Sequence, residues 1–386
     1  MNISARIAAE LRGDRVIWAI VVLLAIISMV SVFSSAATLA YSERSGEVSY
    51  YLIKHGAILA FGLVVIYVCH LLAYTKFSRW APGMLVIAFV LLLLTMFFGP
   101  VINNSQRWLQ IPFVGLTFQT SDFAKLALIV FVARSIGSKQ DVIKDFKSAF
   151  LPIILPVIGV CVLIAINDLS SALMLFLICI LMMIVGRVAM QYVLTLILMG
   201  VSVFSLMVML GAKYPNLLPR ASTWEKRMET FINPSAASTD DRYQITKAQI
   251  AMANGGLVGV GPGNSTQRNY VPYAYADFIY AIIVEEYGVI GGIALILLYL
   301  LLFFRVVRLV TKSSKAFGAM VAFGLGLSIL MQAFMNIAVN LDLVPVTGLT
   351  LPLVSMGGTS ILFTCVSFGI ILSVSKYIES VTADAT

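Results

Sequence analysis

Charge is what this sequence has least of. Of 386 residues only 11% are Asp, Glu, Lys or Arg, against about 25% in ordinary soluble domains. Hydrophobic residues make up 60% and mean hydropathy is +0.98. No soluble fold covers that much apolar surface, so a cytosolic globular enzyme is excluded, and the same composition excludes disorder. Histidine is nearly missing. His55 and His70 are the only two, and neither has a Cys, His or acidic neighbour at ligand spacing, so neither a histidine metal site nor a Ser-His-Asp arrangement is visible. Cysteine is sparse as well. Cys69, Cys161, Cys179 and Cys365 all sit in apolar runs and read as small buried hydrophobes, not as disulfides or metal ligands. No low-complexity linker divides the chain, and no short apolar core ends in a cleavage site. The first apolar run is therefore expected to stay as an uncleaved span.

Long apolar runs are what the sequence does have. A membrane-spanning helix takes about 20 such residues. Runs near 16–39, 51–74, 80–99, 122–138, 151–166, 171–186, 190–212, 277–304, 317–340 and 355–377 predict an all-α polytopic membrane protein. It has about ten transmembrane helices in one domain, 1–386, with one large loop over 213–275. Orientation follows from where Lys and Arg fall in short loops. With the amino terminus inside, 15 of the 26 lie in inside segments and 4 (Arg44, Lys54, Arg107, Lys125) in short outside ones. Both termini are thus expected in the cytoplasm and the large loop outside. The net charge of +8 is absorbed by these membrane flanks, so no nucleic-acid partner is expected.

Acidic residues near lipid are costly and point to function. Asp277, at the outer head of the eighth run, reads as a helix-end carboxylate or as a general base. Glu285 and Glu286, deeper on the same run, read as a staple between spans or as part of the chemistry. Asp168, after Asn167, reads as a helix cap backed by Ser170 and Ser171 or as a wall of the site. Asp122 and Lys125 share a helix face. They read as an ion pair, or with Lys125 pointing outward to where a phosphate headgroup lies. Arg107 beside Trp108 is an interfacial anchor or an anion contact. The run Gly255-Gly256-Leu257-Val258-Gly259-Val260-Gly261-Pro262-Gly263 lacks the Lys-Ser/Thr of a nucleotide loop. It reads as tight backbone turned into the outer leaflet. Pro345, Gly348, Pro352, Gly357 and Gly358 read as a broken helix, tolerated at membrane depth only where protein or a water-filled cavity covers it.

These residues, in this order, resemble a family. Arg107-Trp108-Leu109 is similar to an Arg-Arg-Trp-Leu stretch. Gln119-Thr120-Ser121-Asp122-Phe123-Ala124-Lys125 is similar to Gln-Pro-Ser-Glu-Phe-Ala-Lys, and Asp168-Leu169 to a Pro-Asp-Leu-Gly-Thr turn that Asn167 and Ser170-Ser171 alter. Tyr243-Gln244 with Gly255-Gly256 matches a long-loop signature. Pro272 to Gly288 matches Leu-Pro-Glu-Ala-x-x-Asp-Phe-Ile-Phe, with Tyr273 replacing the acid. The stretch from Pro345 through Ser355 to Ser360 matches a closing signature. All belong to the FtsW/RodA cell-wall glycosyltransferases, and Gly263-Asn264-Ser265 with Gln267-Arg268 leans to the division branch, FtsW-like.

The resemblance implies an inverting peptidoglycan glycosyltransferase that polymerises lipid II (undecaprenyl-pyrophosphoryl disaccharide-pentapeptide) at the outer face of the bacterial cytoplasmic membrane. Septal wall synthesis is the expected setting. A RodA-like elongation polymerase and a lipid-linked precursor flippase are the alternatives. Such chemistry needs one base and a cationic cradle for pyrophosphate. Asp277 is the expected base. Lys125, Arg107, Arg242 and Lys247 are expected cations, and Asp122, Asp168, Glu285, Glu286 and Ser355 are expected to complete substrate binding. A divalent cation, Mg²⁺ or Mn²⁺, fits carboxylates plus phosphates, and no organic cofactor is expected. Expected partners are a class B penicillin-binding protein transpeptidase, other divisome proteins and membrane lipids.

Overall fold

The computed structural model describes residues 12–35, 48–101, 106–110, 117–213, 221–234, 239–272 and 274–384. Arg44 and Tyr273, named above, lie outside the described residues. Each of the ten apolar runs falls on a helix: α1 Arg15–Ser35, α2 Val48–Leu71, α3 Tyr74–Phe98, α4 Thr120–Ser138, α5 Leu151–Ala165, α6 Leu169–Val185, α7 Met190–Lys213, then α10 Ile279–Lys312, α11 Ala316–Asn340 and α12 Thr359–Asp384. Between α7 and α10 lie α8, Ala221–Ile232, and α9, Thr239–Gly255. Among the described residues, seven helices are long and apolar enough to cross a membrane by length and composition. The run that contains α4 misses that measure, because Asp122, Lys125 and Arg134 load it with charge.

Burial explains how so charged a helix is kept. α4 packs against α3, α5, α6 and α11, and its buried residues run around its whole circumference. α1 lies antiparallel to α10. Ser34 near the end of α1 donates to Glu286 near the start of α10. Arg305 near the end of α10 meets Asp14 before α1, at 2.8 Å from Nε and 2.5 Å from Nη2. α12 packs along α2. The two histidines are ties inside this bundle. His55 Nε2 bonds Ser28 Oγ at 2.8 Å, and Ser28 in turn donates to Val354 O; His70 Nε2 bonds Arg12 O at 2.6 Å.

Two irregular segments carry the architecture toward the site. The first is the glycine-rich run. α10 breaks at Gly288 (φ 69°, ψ −176°), which frees two carbonyls and two N–H groups. The run 255–263 fills the gap as a strand would. Val260 N and Gly261 N donate to Glu285 O and Glu286 O at 3.0 Å each, and Val289 N and Ile290 N donate to Gly256 O and Leu257 O. Gly259 (φ +92°) comes so close that a Cβ there would sit 2.2 Å from Glu286 O. Glycine is therefore required for approach as well as for backbone angle.

The second is 341–358, where the expected broken helix is an irregular chain throughout. For that reason α12 starts at Thr359 and not at the expected 355. Its backbone is satisfied by side chains from packed helices, as low-dielectric surroundings demand. Asn336 Nδ2 donates to Leu349 O (2.7 Å), Gln332 Nε2 to Thr350 O (3.0 Å) and Tyr299 Oη to Pro352 O (2.6 Å).

Replacing Gly259 with Ala forces that backbone contact apart and is expected to destabilise the protein by on the order of 1–3 kcal/mol. Gly83→Ala on α3, with nothing within 4 Å of the new methyl, is expected to be neutral or slightly stabilising. Thermal unfolding of the two variants in detergent checks this, and equal melting temperatures would refute it.

Candidate active site

Asp277 lies in the turn that leads into α10, outside the helix itself. Its backbone carbonyl is held twice from α11, by Asn336 Nδ2 at 2.8 Å and Asn340 Nδ2 at 3.1 Å. Its neighbours are pinned too: Ser355 Oγ donates to Ala276 O at 2.6 Å and Met356 N to Tyr275 O at 2.9 Å. The carboxylate faces Gly348, whose Cβ position is 3.7 Å from Oδ2. Among the described residues it has no ion-pair partner within 4 Å.

Arg107 and Asp168 share this neighbourhood. Arg107 leads into a short hairpin of β1, Trp108–Gln110, and β2, Thr117–Gln119, paired antiparallel with Trp108 opposite Gln119. Its Nη1 lies 3.1 Å from Asp168 Oδ2 and its Nε donates to Asn167 O at 3.0 Å. Asp168 is the N-cap of α6. Its Oδ1 accepts from Ser171 N and its Oδ2 from Ser171 Oγ. The cap and the site-wall readings of Asp168 are both realised, because the residue that starts α6 also fixes Arg107.

The third charged neighbour is Arg227 on α8, which the sequence reading left among the loop residues. Its Nη1 donates to Val346 O at 2.9 Å, which lays α8 over the 341–358 segment. Burial lowers its pKa from the ordinary arginine value, with the nearby Arg107 adding to the effect. The sequence signal was faint: an Arg three residues after Trp224 on a short amphipathic helix. Burial raises the Asp277 carboxyl from the ordinary value to about 6; the positive charges of Arg107 and Arg227 pull it back down, and Asp168 pushes it up. Desolvation outweighs two cations here, and among the described residues no hydrogen bond reaches the carboxylate.

Beside this cluster runs a cavity of about 670 Å³ between α6, α8, α11 and 344–347. Leu173, Leu177, Met228, Ile232, Met331 and Met335 give it a largely apolar lining, and Glu225, Arg227, Glu229, Asn233 and Thr347 are among its polar residues. It suits a hydrophobic chain attached to an anionic group.

The other expected site residues are engaged elsewhere. Lys125 does not point outward; it is buried and pairs with Asp122 at 2.7 Å, because α4 is surrounded by helices. Asp122 Oδ2 has no partner and borders a small polar space of about 30 Å³ with Ser328, Gln332 and Thr364. Arg242 bonds Asp342 Oδ2 at 2.7 Å and Thr230 O, latching α9 to α8 and to the 341–358 segment. Lys247 Nζ lies over the rings of Tyr243 and Tyr270, 5.6 and 5.2 Å from their centroids. Glu285 accepts from Ser265 Oγ, Thr266 N and Oγ1 and Gln267 N, so it anchors the loop after the glycine run, and Glu286 holds Ser34. Ser355 is buried and turned inward, receiving Leu351 N and donating to Ala276 O; it shapes the Asp277 turn and does not line the cavity. A metal fits this set poorly. Both oxygens of Asp168 are committed, the nearest charges to Asp277 after it are arginines, and among the described residues no three His, Cys, Asp or Glu side chains cluster at ligand spacing.

The family model described as "Cell cycle protein", for FtsW, RodA and SpoVE, matches residues 14–380. The chain belongs to the FtsW/RodA/SpoVE family. Its relatives include a protein named probable peptidoglycan glycosyltransferase FtsW from Geobacter sulfurreducens, 31% identical over 98% of this chain and 99% of the relative. Another of that name, from Haemophilus influenzae, is 34% identical over 94% and 90%. In fold, it is similar to a chain from a study of the structural coordination of polymerization and crosslinking by a peptidoglycan synthase complex (TM-score 0.73, 23% identity, 95% of this chain and 98% of that one). It is also similar to the Thermus thermophilus rod shape determining protein RodA (TM-score 0.66, 22% identity, 94% and 96%).

Lys125→Ala leaves Asp122 buried without a counter-charge, and breaking a buried pair from one side costs on the order of 3–5 kcal/mol. The double change Asp122→Asn with Lys125→Met is expected to recover most of that loss. Urea or thermal unfolding of the membrane-inserted proteins measures both; a Lys125→Ala protein as stable as the wild type would overturn the burial argument.

Proposed function

We propose that this family member is a peptidoglycan glycosyltransferase that polymerises lipid II during septal wall synthesis. The observation that carries the reading is one desolvated carboxylate, Asp277, without an ion-pair partner but within the field of Arg107 and Arg227, beside an apolar cavity. The names of the relatives, probable peptidoglycan glycosyltransferase FtsW, support both the activity and the division branch. In the reaction, Asp277 takes the proton of an attacking sugar hydroxyl as its oxygen bonds to the anomeric carbon of the donor. The bond from that carbon to the lipid pyrophosphate breaks, and the electron pair leaves with the pyrophosphate. Arg107 and Arg227 stabilise that charge, and attack opposite the leaving group inverts the anomeric centre. The lipid tail occupies the cavity beneath α8. No step is assigned to a protein-bound metal, since the donor set does not suit one.

A flippase would need acids free to relay protons at mid-membrane. Glu285 and Glu286, the candidates for that role, are occupied by loop and α1 donors, which favours the polymerase. The chain is proposed to cross the cytoplasmic membrane ten times at the septum, with both termini inside and α8 and α9 outside. A class B penicillin-binding protein and other divisome proteins are the proposed partners.

Orientation is tested with Thr223→Cys, on the exposed side of α8. The four native cysteines are buried and give little background. An impermeant thiol reagent added to intact spheroplasts should label it; labelling only after permeabilisation would reverse the topology.

Asp277 must be ionised to accept a proton, so glycan polymerisation should fall as pH drops through about 6 and level off above it. Asp277→Asn keeps the shape and loses the base, an effect typically worth about 10²–10⁴-fold. Arg227→Ala should cost activity while Arg242→Ala mainly costs stability. Purified protein, with and without a transpeptidase partner, is assayed on labelled lipid II across pH. Near-normal strand synthesis by a folded Asp277→Asn protein would remove Asp277 from the mechanism.

A further inference from the structure

A second cavity, lined by several charged and hydroxyl-bearing residues, lies at the opposite end of the bundle from Asp277. The antiparallel pairing of α1 with α10 fixes this: Asp14, just before α1, meets Arg305 near the end of α10, whereas Asp277 precedes the start of α10. The cavity is about 530 Å³ and opens between the segment leading into α1, the α2–α3 turn and the last third of α12. None of the residues assigned to the glycosyltransferase reaction lines it.

Its charges are unbalanced in a particular way. Arg12 and Lys376 both line it, and among the described residues neither has a carboxylate within ion-pair distance. The single acid in the lining, Glu379, is already used, accepting from Gly13 N at 2.6 Å. Arg12 is held at the mouth by its own backbone, whose carbonyl bonds the buried His70 ring. The rings of Tyr74 and Tyr377 lean together across the cavity, centroids 5.1 Å apart. Among the described residues neither phenol hydroxyl hydrogen-bonds to protein. Two cations and two tyrosines, none of them with an ion-pair or hydroxyl partner among the described residues, thus line one space. That is a donor set for phosphate oxygens.

The lining also says which phosphate. Leu71, 51% exposed at the end of α2, forms one lip. The cavity lies beside the end of α2, the start of α3 and the last third of α12. A soluble anion has no use for an apolar lip, whereas a phospholipid lays its acyl chain along it. Basic pockets between transmembrane helices are suited to anionic headgroups.

We propose that this cavity binds the phosphate headgroup of an anionic phospholipid, such as phosphatidylglycerol, through Arg12, Lys376 and the paired tyrosines. In the proposed orientation it is an inner-leaflet lipid. It fastens the start of α1 to α12 and the α2–α3 turn from the side opposite the chemistry.

The test is native mass spectrometry of the full chain in detergent, titrated with phosphatidylglycerol, with phosphatidylcholine and with inorganic phosphate. The wild type should bind phosphatidylglycerol in preference to phosphatidylcholine at one saturable site. Each lost cation should weaken that binding roughly fivefold, so that Arg12→Ala with Lys376→Ala weakens it about thirtyfold. Lys376→Arg should retain it, and Lys315→Ala, exposed on another turn of the same face, should leave it unchanged. Unfolding midpoints are taken in parallel; if the double variant is misfolded, Lys376→Gln alone decides, with fivefold weakening expected. Equal binding of the two lipids, or equal loss in Lys315→Ala, would overturn the proposal. Saturation by inorganic phosphate with no gain from the lipid would also overturn it, by making the site one for the free ion.

Discussion

Backbone hydrogen bonding away from water is the constraint on which this molecule rests. Two segments that are not regular helix, 255–278 and 341–358, meet at the candidate site, and each must find donors and acceptors inside the protein. The glycine run solves this by pairing with the broken ladder of α10. The second segment solves it with Gln332, Asn336 and Tyr299. Asn336 links the two solutions, since its Nδ2 donates to Leu349 O in one segment and to Asp277 O in the other. The Asp277 turn is therefore positioned from the end of α11 and not by its own loop alone.

That positioning leaves the Asp277 carboxylate in a state its surroundings determine. Its backbone is satisfied and its side chain is not. The two arginines are near enough to oppose the effect of burial and not near enough to pair, so the carboxyl keeps a raised pKa. Were Arg107 free to swing, it would neutralise the base. Asp168 prevents this by binding Arg107 at 3.1 Å while capping α6.

The helices were legible in the sequence because their signal is local: apolar length needs no partner to be recognised. Asp277 drew notice for the converse reason, that acids are rare near lipid. What the sequence did not disclose was tertiary. Arg227 and Arg242 both lie on the long loop and look alike in one dimension; folding sends one toward Asp277 and the other to Asp342. Of the two readings of Lys125 the ion pair with Asp122 is realised, and its burial was not legible because a shared helix face says nothing of which way the face turns. Glu285 and Glu286 carried the same rarity signal as Asp277, yet their burial serves the glycine run and α1. Rarity of charge marks where energy is spent on burial; it does not say for what purpose.

One consequence follows from α8. This single short helix brings Arg227 to the charged cluster and also forms one wall of the apolar cavity. A long-tailed ligand need not be threaded through the bundle, because the wall over its tail is a surface helix joined to the 341–358 segment by the hydrogen bond from Arg227 to Val346. Lifting the wall withdraws the arginine as well. Shelter for the chain and charge for its anionic head are thus one mechanical event, and an open cavity is an unarmed one.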